Sequence, residues 1–165
     1  MGVSEENFYN AIKSFDGASN RLELICKNSN SVAYKDFAHS PSKVQATTSA
    51  VKSQNSDKKI IACFELHTYS SLNIDFIKQY ENSLDSADEA IIFYSKKALK
   101  LKKMDSLVDD EISAAFKHKN LKVISNSGDL VAYLSSMKFY NLALLLMSSG
   151  KFEGIDFEFI KERIK

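Results

Sequence analysis

A single proline and five glycines in 165 residues leave little room for a disordered linker, and a hydrophobic share of 44% supplies enough apolar surface for one buried core. Chains of this size hide about two-thirds of their unfolded surface without disulfides or metal. Cysteine is scarce as well: Cys26 and Cys63 each sit inside a strand-like apolar run with no CxxC spacing. That pattern argues against a redox pair and for buried thiols in a reducing cytoplasm. Charge of one sign is missing, since the formal net charge is +1, so no global field draws the chain to nucleic acid or anionic lipid. No run is long and apolar enough to cross a membrane. The N-terminal Met1-Gly2-Val3-Ser4-Glu5-Glu6 has neither the basic nor the apolar region of a signal peptide.

What is present is an alternation of elements. Ser4 is placed to cap a helix with Phe8, Ala11, Ile12 and Phe15 on one face, ended by Gly17. Arg21 to Cys26 and Ser31 to Phe37 read as strands joined by the turn composition Asn28-Ser29-Asn30, which predicts an antiparallel hairpin. From Ser42 the pattern becomes helix and strand in turn. It gives a helix over 42–54, a strand over 59–65, a helix capped by Asn73 with Phe76, Ile77, Tyr80 and Leu84 inward, and a strand over 90–94. A helix from Asp109, a strand over 121–124, a helix over 128–138, a strand over 141–147 and a helix over 155–164 follow. Continuous apolar strands alternating with amphipathic helices predict an α/β domain: a Rossmann-like, open, mostly parallel sheet with an antiparallel N-terminal hairpin and helices on both faces.

In such a sheet the loops after the parallel strands gather on one edge, where ligands bind. That edge should collect residues 36–42, 67–73, 95–100, 125–128 and 148–150, and with them His39 and His67. His118, at a helix end among lysines, reads as a solvated residue favoured by the helix dipole. The segment Tyr34-Lys35-Asp36-Phe37-Ala38-His39-Ser40-Pro41 reads as strand, polar elbow and helix start. Asp36 and His39 suit ribose and phosphate contacts, acid and base, or metal ligation together with Glu65 and His67. Equally, Asp36 and Asn73 suit the plain duty of satisfying backbone donors in their loops. A metal site lacks the helix-borne His pair or Cys-rich frame that would support it. Ser40 beside His39 is poor geometry for a nucleophile and base, and no Gly-x-Ser-x-Gly elbow occurs. The lysines between 96 and 103 read as solvated, locally cancelled by Asp105, Asp109, Asp110 and Glu111.

The elbow resembles the Asp-Tyr-Ala-His-His-Pro signature that opens the C-terminal domain of the Mur ligases. Three further segments stand in register with it, the first of them ahead of the elbow. Phe15-Asp16-Gly17-Ala18-Ser19-Asn20-Arg21-Leu22-Glu23 is similar to that family's Phe-x-Gly-x-x-x-Arg-x-Glu, and Phe64 to Asn73 occupies the place of its Phe-x-Pro-His-Arg-Tyr-Ser-Arg loop. Leu144 to Gly150 resembles its late strand and glycine turn. The branch most similar in pattern ligates L-alanyl-γ-D-glutamyl-meso-diaminopimelate to UDP-N-acetylmuramate in bacterial cell-wall recycling.

The resemblance implies residues 1–16 as a linker helix from a central domain and 17–165 as the C-terminal domain of an ATP-dependent carboxylate-amine ligase. ATP and Mg2+ would be held mainly by the central domain, and UDP-N-acetylmuramate and an alanyl peptide or amino acid would be the substrates. It further implies that Arg21 and Asp36 meet the nucleotide, while His39, His67, Thr68, Tyr69 and Ser71 line the incoming substrate's site. No catalytic residue and no metal ligand are carried over. Phe37 replaces the family's tyrosine, and Thr68 and Ser71 stand where relatives that add free L-alanine have arginine. The chain lacks a GxxGK phosphate loop, so by this reading it is catalytically incomplete alone. Met1-Gly2 before a boundary helix suggests an excised domain, with a natural short protein as the alternative. A stand-alone nucleotide, peptide or protein-binding module of the same fold remains the other reading.

Overall fold

The computed structural model describes residues 2, 4–7, 9 and 21–165. Ser4 accepts a hydrogen bond from the Asn7 N–H at 3.3 Å, as a helix cap does. Phe8, Ala11, Ile12, Phe15 and Gly17, on which the expected first helix rests, lie outside the described residues, and so does the division expected between residues 16 and 17.

Strands β1 (Glu23–Lys27) and β2 (Val32–Asp36) form the antiparallel hairpin. Its turn is closed by Asn28, whose Oδ1 accepts the N–H groups of Asn30 at 2.9 Å and Ser31 at 2.8 Å. Helix α1 (Pro41–Gln54) begins at the proline, whose missing N–H costs nothing in a first turn, and it buries Val44, Thr48 and Val51. Then come β3 (Lys59–Leu66), α2 (Ile74–Ile77), β4 (Glu89–Tyr94), α3 (Lys96–Lys102), α4 (Asp109–Phe116), β5 (Leu121–Ile124), α5 (Ser127–Ser136), β6 (Leu142–Met147) and α6 (Glu158–Arg163).

The six strands lie in the order β1-β2-β6-β3-β4-β5, and every pair after the hairpin is parallel. Because β6 returns last and inserts between β2 and β3, the loops that follow these three strands stand side by side at the carboxyl edge. Successive side chains of the central strands go to opposite faces. Ala62, Phe64, Ile92, Leu145 and Met147 join Val44 of α1, Leu99 of α3 and Ile112 and Phe116 of α4, whereas Ile61, Cys63, Phe93, Leu144 and Leu146 join Leu130 and Leu134 of α5 and Ile160 of α6. Helices therefore cover both faces.

Several expectations need correction. The helix after Asn73 is one turn followed by a 3-10 turn over Lys78–Tyr80, although Asn73 does cap it, accepting from Asp75 and Phe76, and Phe76 stays half-exposed. Residues 96–102 are helical rather than loop: Ser95 Oγ accepts the Ala98 N–H at 2.9 Å, and Leu99 is the buried residue of a helix whose lysines face outward. One inward position in seven leaves no apolar stripe to read. The last helix is shorter than expected, because Phe152, Glu153 and Gly154 take positive φ in a tight 3-10 turn ahead of it. Cys26 is half-buried rather than fully buried. Cys63 is fully buried, and burial, then the nearby Glu65 charge, pushes its thiol up. His118 is held in the turn: Nδ1 accepts the Asn120 N–H at 3.2 Å and Nε2 reaches the Ala87 carbonyl at 3.0 Å. The Nε2–H tautomer satisfies both contacts, so the ring serves the turn rather than a helix dipole.

The edge opposite the loops is tied by charge. Asp88 Oδ2 accepts the Ile60 N–H at 2.8 Å and the Lys52 ammonium at 3.2 Å, and Glu89 accepts from Lys59 at 2.7 Å and from the Tyr133 hydroxyl at 2.5 Å. Burial works to raise both carboxyls, but these donors and the lysine charges outweigh it and hold both below their usual range. Burial and the bond to Glu89 push the Tyr133 phenol up to about 12. Depressed carboxyls contribute stability that is fully present above the unfolded values of 3.8 and 4.5 and is lost as pH falls through the folded ones. The urea midpoint should thus hold steady down to about pH 5 and fall below it. Glu89→Gln should lower the midpoint at neutral pH and make the acid fall shallower; an unchanged acid slope would detach Glu89 from this behaviour.

Candidate functional site at the carboxyl edge

Two cavities open on the carboxyl edge. The first lies at the elbow, has a volume of about 330 Å³, and is walled by Arg21, Asp36, Phe37, Lys43 and Thr47 among others. Asp36 ends β2, and its carboxylate organises the loop: Oδ2 accepts the Leu22 N–H at 2.7 Å, and Oδ1 accepts the Ala38 N–H at 2.7 Å and the Thr47 hydroxyl at 3.3 Å. Leu22 has φ 45°, a left-handed conformation that costs an L residue about 1 kcal/mol. Phe37 is 46% exposed and meets the His39 ring edge-on at 5.2 Å. His39 Nδ1 lies 2.9 Å from the Phe37 carbonyl, and the His39 carbonyl accepts the Tyr80 hydroxyl at 2.5 Å. Tyr80 reaches there from the core, where burial pushes its phenol up to about 12 and keeps it a neutral donor.

The second cavity, of about 760 Å³, lies over the ends of β3, β4 and β6, and its walls include Glu65, His67, Lys97, Ser149, Lys151 and Glu153. Glu65 is only 3% exposed. Its Oε2 accepts the Ser148 hydroxyl and, at 2.9 Å, the Phe152 N–H, while Oε1 lies 3.7 Å from His67 Nδ1. Buried carboxylates require such donors. A second carboxylate, Glu153, accepts the Ser95 hydroxyl at the head of α3. Gly150 sits against His67: a Cβ there would lie 2.6 Å from the ring and 2.9 Å from Glu65 Oε2, so only glycine permits the approach.

The site residues expected from sequence are thus divided. Arg21 and Asp36 share the elbow cavity, and His67 belongs to the larger one. Neither wall includes His39, Thr68, Tyr69 or Ser71. Ser71 is buried and bonded within its own turn, accepting from the Thr68 hydroxyl at 2.9 Å and donating to the Thr68 carbonyl at 3.1 Å. Tyr69 is 64% exposed beneath the Lys102 ammonium, 4.1 Å from its ring centroid. Asp36, His39, Glu65 and His67 do not converge, and among the described residues no group of three or more His, Cys, Asp or Glu is placed to hold a metal ion.

Residues 20–150 match the family described as Mur ligase, glutamate ligase domain. The chain belongs to the Mur ligase family and is its C-terminal domain. It is 29% identical over 138 residues to the UDP-N-acetylmuramate–L-alanine ligase of Cytophaga hutchinsonii, covering 84% of this chain and 29% of that protein. The same enzyme of Clostridium kluyveri is 29% identical over 154 residues, 91% of this chain and 33% of that protein. The chain spans about a third of the length of these relatives. A murein peptide ligase from Psychrobacter arcticus superposes with a TM-score of 0.70 at 24% identity, over 99% of this chain and 34% of that one. A ligase domain from Haemophilus ducreyi does so at 0.63 and 23% identity, over 88% of this chain and 100% of that one. Both likenesses confirm the Mur ligase fold.

Ser95, Lys97, Ser148 and Gly150 fall within the loops expected at this edge, with no role assigned to them individually, and Glu153 lies beyond those loops. The glycine turn after a buried strand was their available signal. Gly150→Ala should destabilise the chain by about 1–3 kcal/mol, because the His67 ring and Glu65 carboxylate have to give way. Urea denaturation checks this, and a variant as stable as the parent would mean the turn has slack that the 2.6 Å approach denies.

Proposed function

We propose that this chain is the closing domain of an ATP-dependent ligase that joins a peptide or amino acid to UDP-N-acetylmuramate in peptidoglycan recycling or synthesis. The supporting observation is the elbow cavity, where Arg21 and Lys43 make no ion pair among the described residues and stand beside Asp36. Two unpaired cations suit phosphate oxygens. Asp36 retains acceptor capacity beyond its three donors, enough for a ribose hydroxyl. ATP, when bound, supplies the phosphoryl group that activates a carboxylate for attack by an amine. The described residues offer no cluster for Mg2+, so its ligation falls to the phosphates and to parts of the ligase outside this chain. Both cavities are open to solvent, which favours a ligand-binding edge over a module that serves protein interaction alone.

The 165-residue chain by itself should not turn over ATP, because it lacks the GxxGK loop that would anchor a triphosphate. A phosphate-release assay on the purified chain tests this. Turnover at the rate of about 1 per second or more that is typical of enzymes would overturn the reading.

For the amine substrate, the loop after β3 favours a peptide. A free amino acid carries an α-carboxylate that an arginine fork holds well, whereas in an alanyl peptide that group is already an amide. Thr68 and Ser71 supply no such fork and are closed on each other. The complete ligase should use an alanyl tripeptide in strong preference to free L-alanine. Because Ser71 is 1% exposed, an arginine there would break the turn, so Thr68→Arg alone is the cleaner variant and should lower kcat/KM for the peptide. Equal or better use of free L-alanine by the parent enzyme would sink the peptide reading.

A further inference from the structure

Leu22 stands in the left-handed region with φ 45°, its half-buried side chain packed against the core cluster that contains Val32 and Val44. Glycine or asparagine is the usual occupant of such a position. Here the conformation is held from outside, by Asp36 Oδ2 gripping the Leu22 N–H at 2.7 Å. The grip reaches across fourteen residues of sequence, and it fixes the backbone directly after Arg21. Arg21 is exposed in the wall of the elbow cavity, with Lys43 from the first turn of α1 in the same wall. Asp36 itself forms no ion pair with Arg21 among the described residues. Its oxygens are engaged by Leu22, Ala38 and Thr47 instead.

We infer that Asp36 is a positioning residue for Arg21: by clamping Leu22 in a left-handed conformation it aims the guanidinium into the elbow cavity, where Arg21 and Lys43 take the phosphate-bearing part of a nucleotide. The inference rests on the nucleotide reading of the cavity and adds a second duty to Asp36, separate from any contact of its own with ribose. Asp36 and Arg21 then act as one unit through the strained residue between them.

A glycine at position 22 adopts the left-handed conformation without help, which makes rescue the decisive test. In the complete ligase, Asp36→Ala and Arg21→Ala should each raise the KM for ATP by roughly tenfold or more with a smaller change in kcat. Combining them should cost less than the two single effects multiplied together, as expected of coupled residues. Adding Leu22→Gly to Asp36→Ala should restore the part of the ATP affinity that runs through Arg21, leaving the part owed to any ribose contact of Asp36, with Leu22→Gly alone as the control for its lost packing and circular dichroism confirming that each variant is folded. A normal loss in Arg21→Ala without rescue by Leu22→Gly overturns the inference and leaves the nucleotide reading intact. An unchanged KM in Arg21→Ala overturns both. Should Asp36→Ala fail to fold, Asp36→Asn in the 165-residue chain serves instead. There the Leu22 amide should exchange with deuterium roughly tenfold faster, and unchanged protection overturns the clamp.

Discussion

Leu142 to Met147 and all of β4 are buried at every position, and β3 at every position but its first, which leaves the centre of the sheet no solvent face. A strand covered on both sides has to be apolar along its length, because a polar side chain there would lose water and find no partner. Polar chemistry is thereby pushed to the strand ends. One end became a fastening, where Asp88 and Glu89 meet Lys52, Lys59 and Tyr133. The other became the edge with the two cavities. Insertion of β6 between β2 and β3 places the loops of three sequence-distant strands within contact of one another.

Glu65 shows what the constraint demands when it is broken. It is a carboxylate one residue before the end of β3, on a strand otherwise buried, and it is tolerated because β6 delivers the Ser148 hydroxyl and the chain beyond delivers the Phe152 N–H. Gly150 contributes by having no side chain, so that the turn can close over Glu65 and His67 together. The polar groups at this end hold one another in place before any ligand arrives. Such preorganisation lowers the ordering that binding would otherwise require.

Strands β3, β4 and β6 were legible in the sequence because their apolar runs are nearly continuous, β5 through Leu121, Val123 and Ile124 around Lys122, and α1, α4 and α5 because their apolar residues recur at helical spacing. Helix α3 was not, since Leu99 alone turns inward and the lysines that form it read as a solvated run. At the site, Asp36 and Arg21 were legible as neighbours through the family's pattern, but the grip of Asp36 on Leu22 was not. That contact depends on a positive φ and on a separation of fourteen residues, neither of which has a residue-type signature when leucine fills the position. The larger cavity was legible in outline, since the loops after β3, β4, β5 and β6 were expected on one edge, but the burial of Glu65 and the approach of Glu153 to Ser95 were not. The loop hydroxyls Thr68 and Ser71 were read as facing a substrate, whereas short-range hydrogen bonding turned them toward each other.

The Tyr80 hydroxyl has a consequence for how the molecule responds to heat. Its ring lies in a stack with Phe64 and Phe116, at centroid separations of 5.2 and 5.3 Å, while its oxygen holds the backbone of the elbow at His39. The elbow is thus moored to an aromatic cluster on one face of the sheet as well as to Asp36 at the end of β2. Warming that breaks this one hydrogen bond would slacken the elbow while the hydrogen-bonded ladder of the sheet still stands. Order at this edge would then fade at a temperature below that of global unfolding, and the gap between the two would report how firmly one phenol is seated.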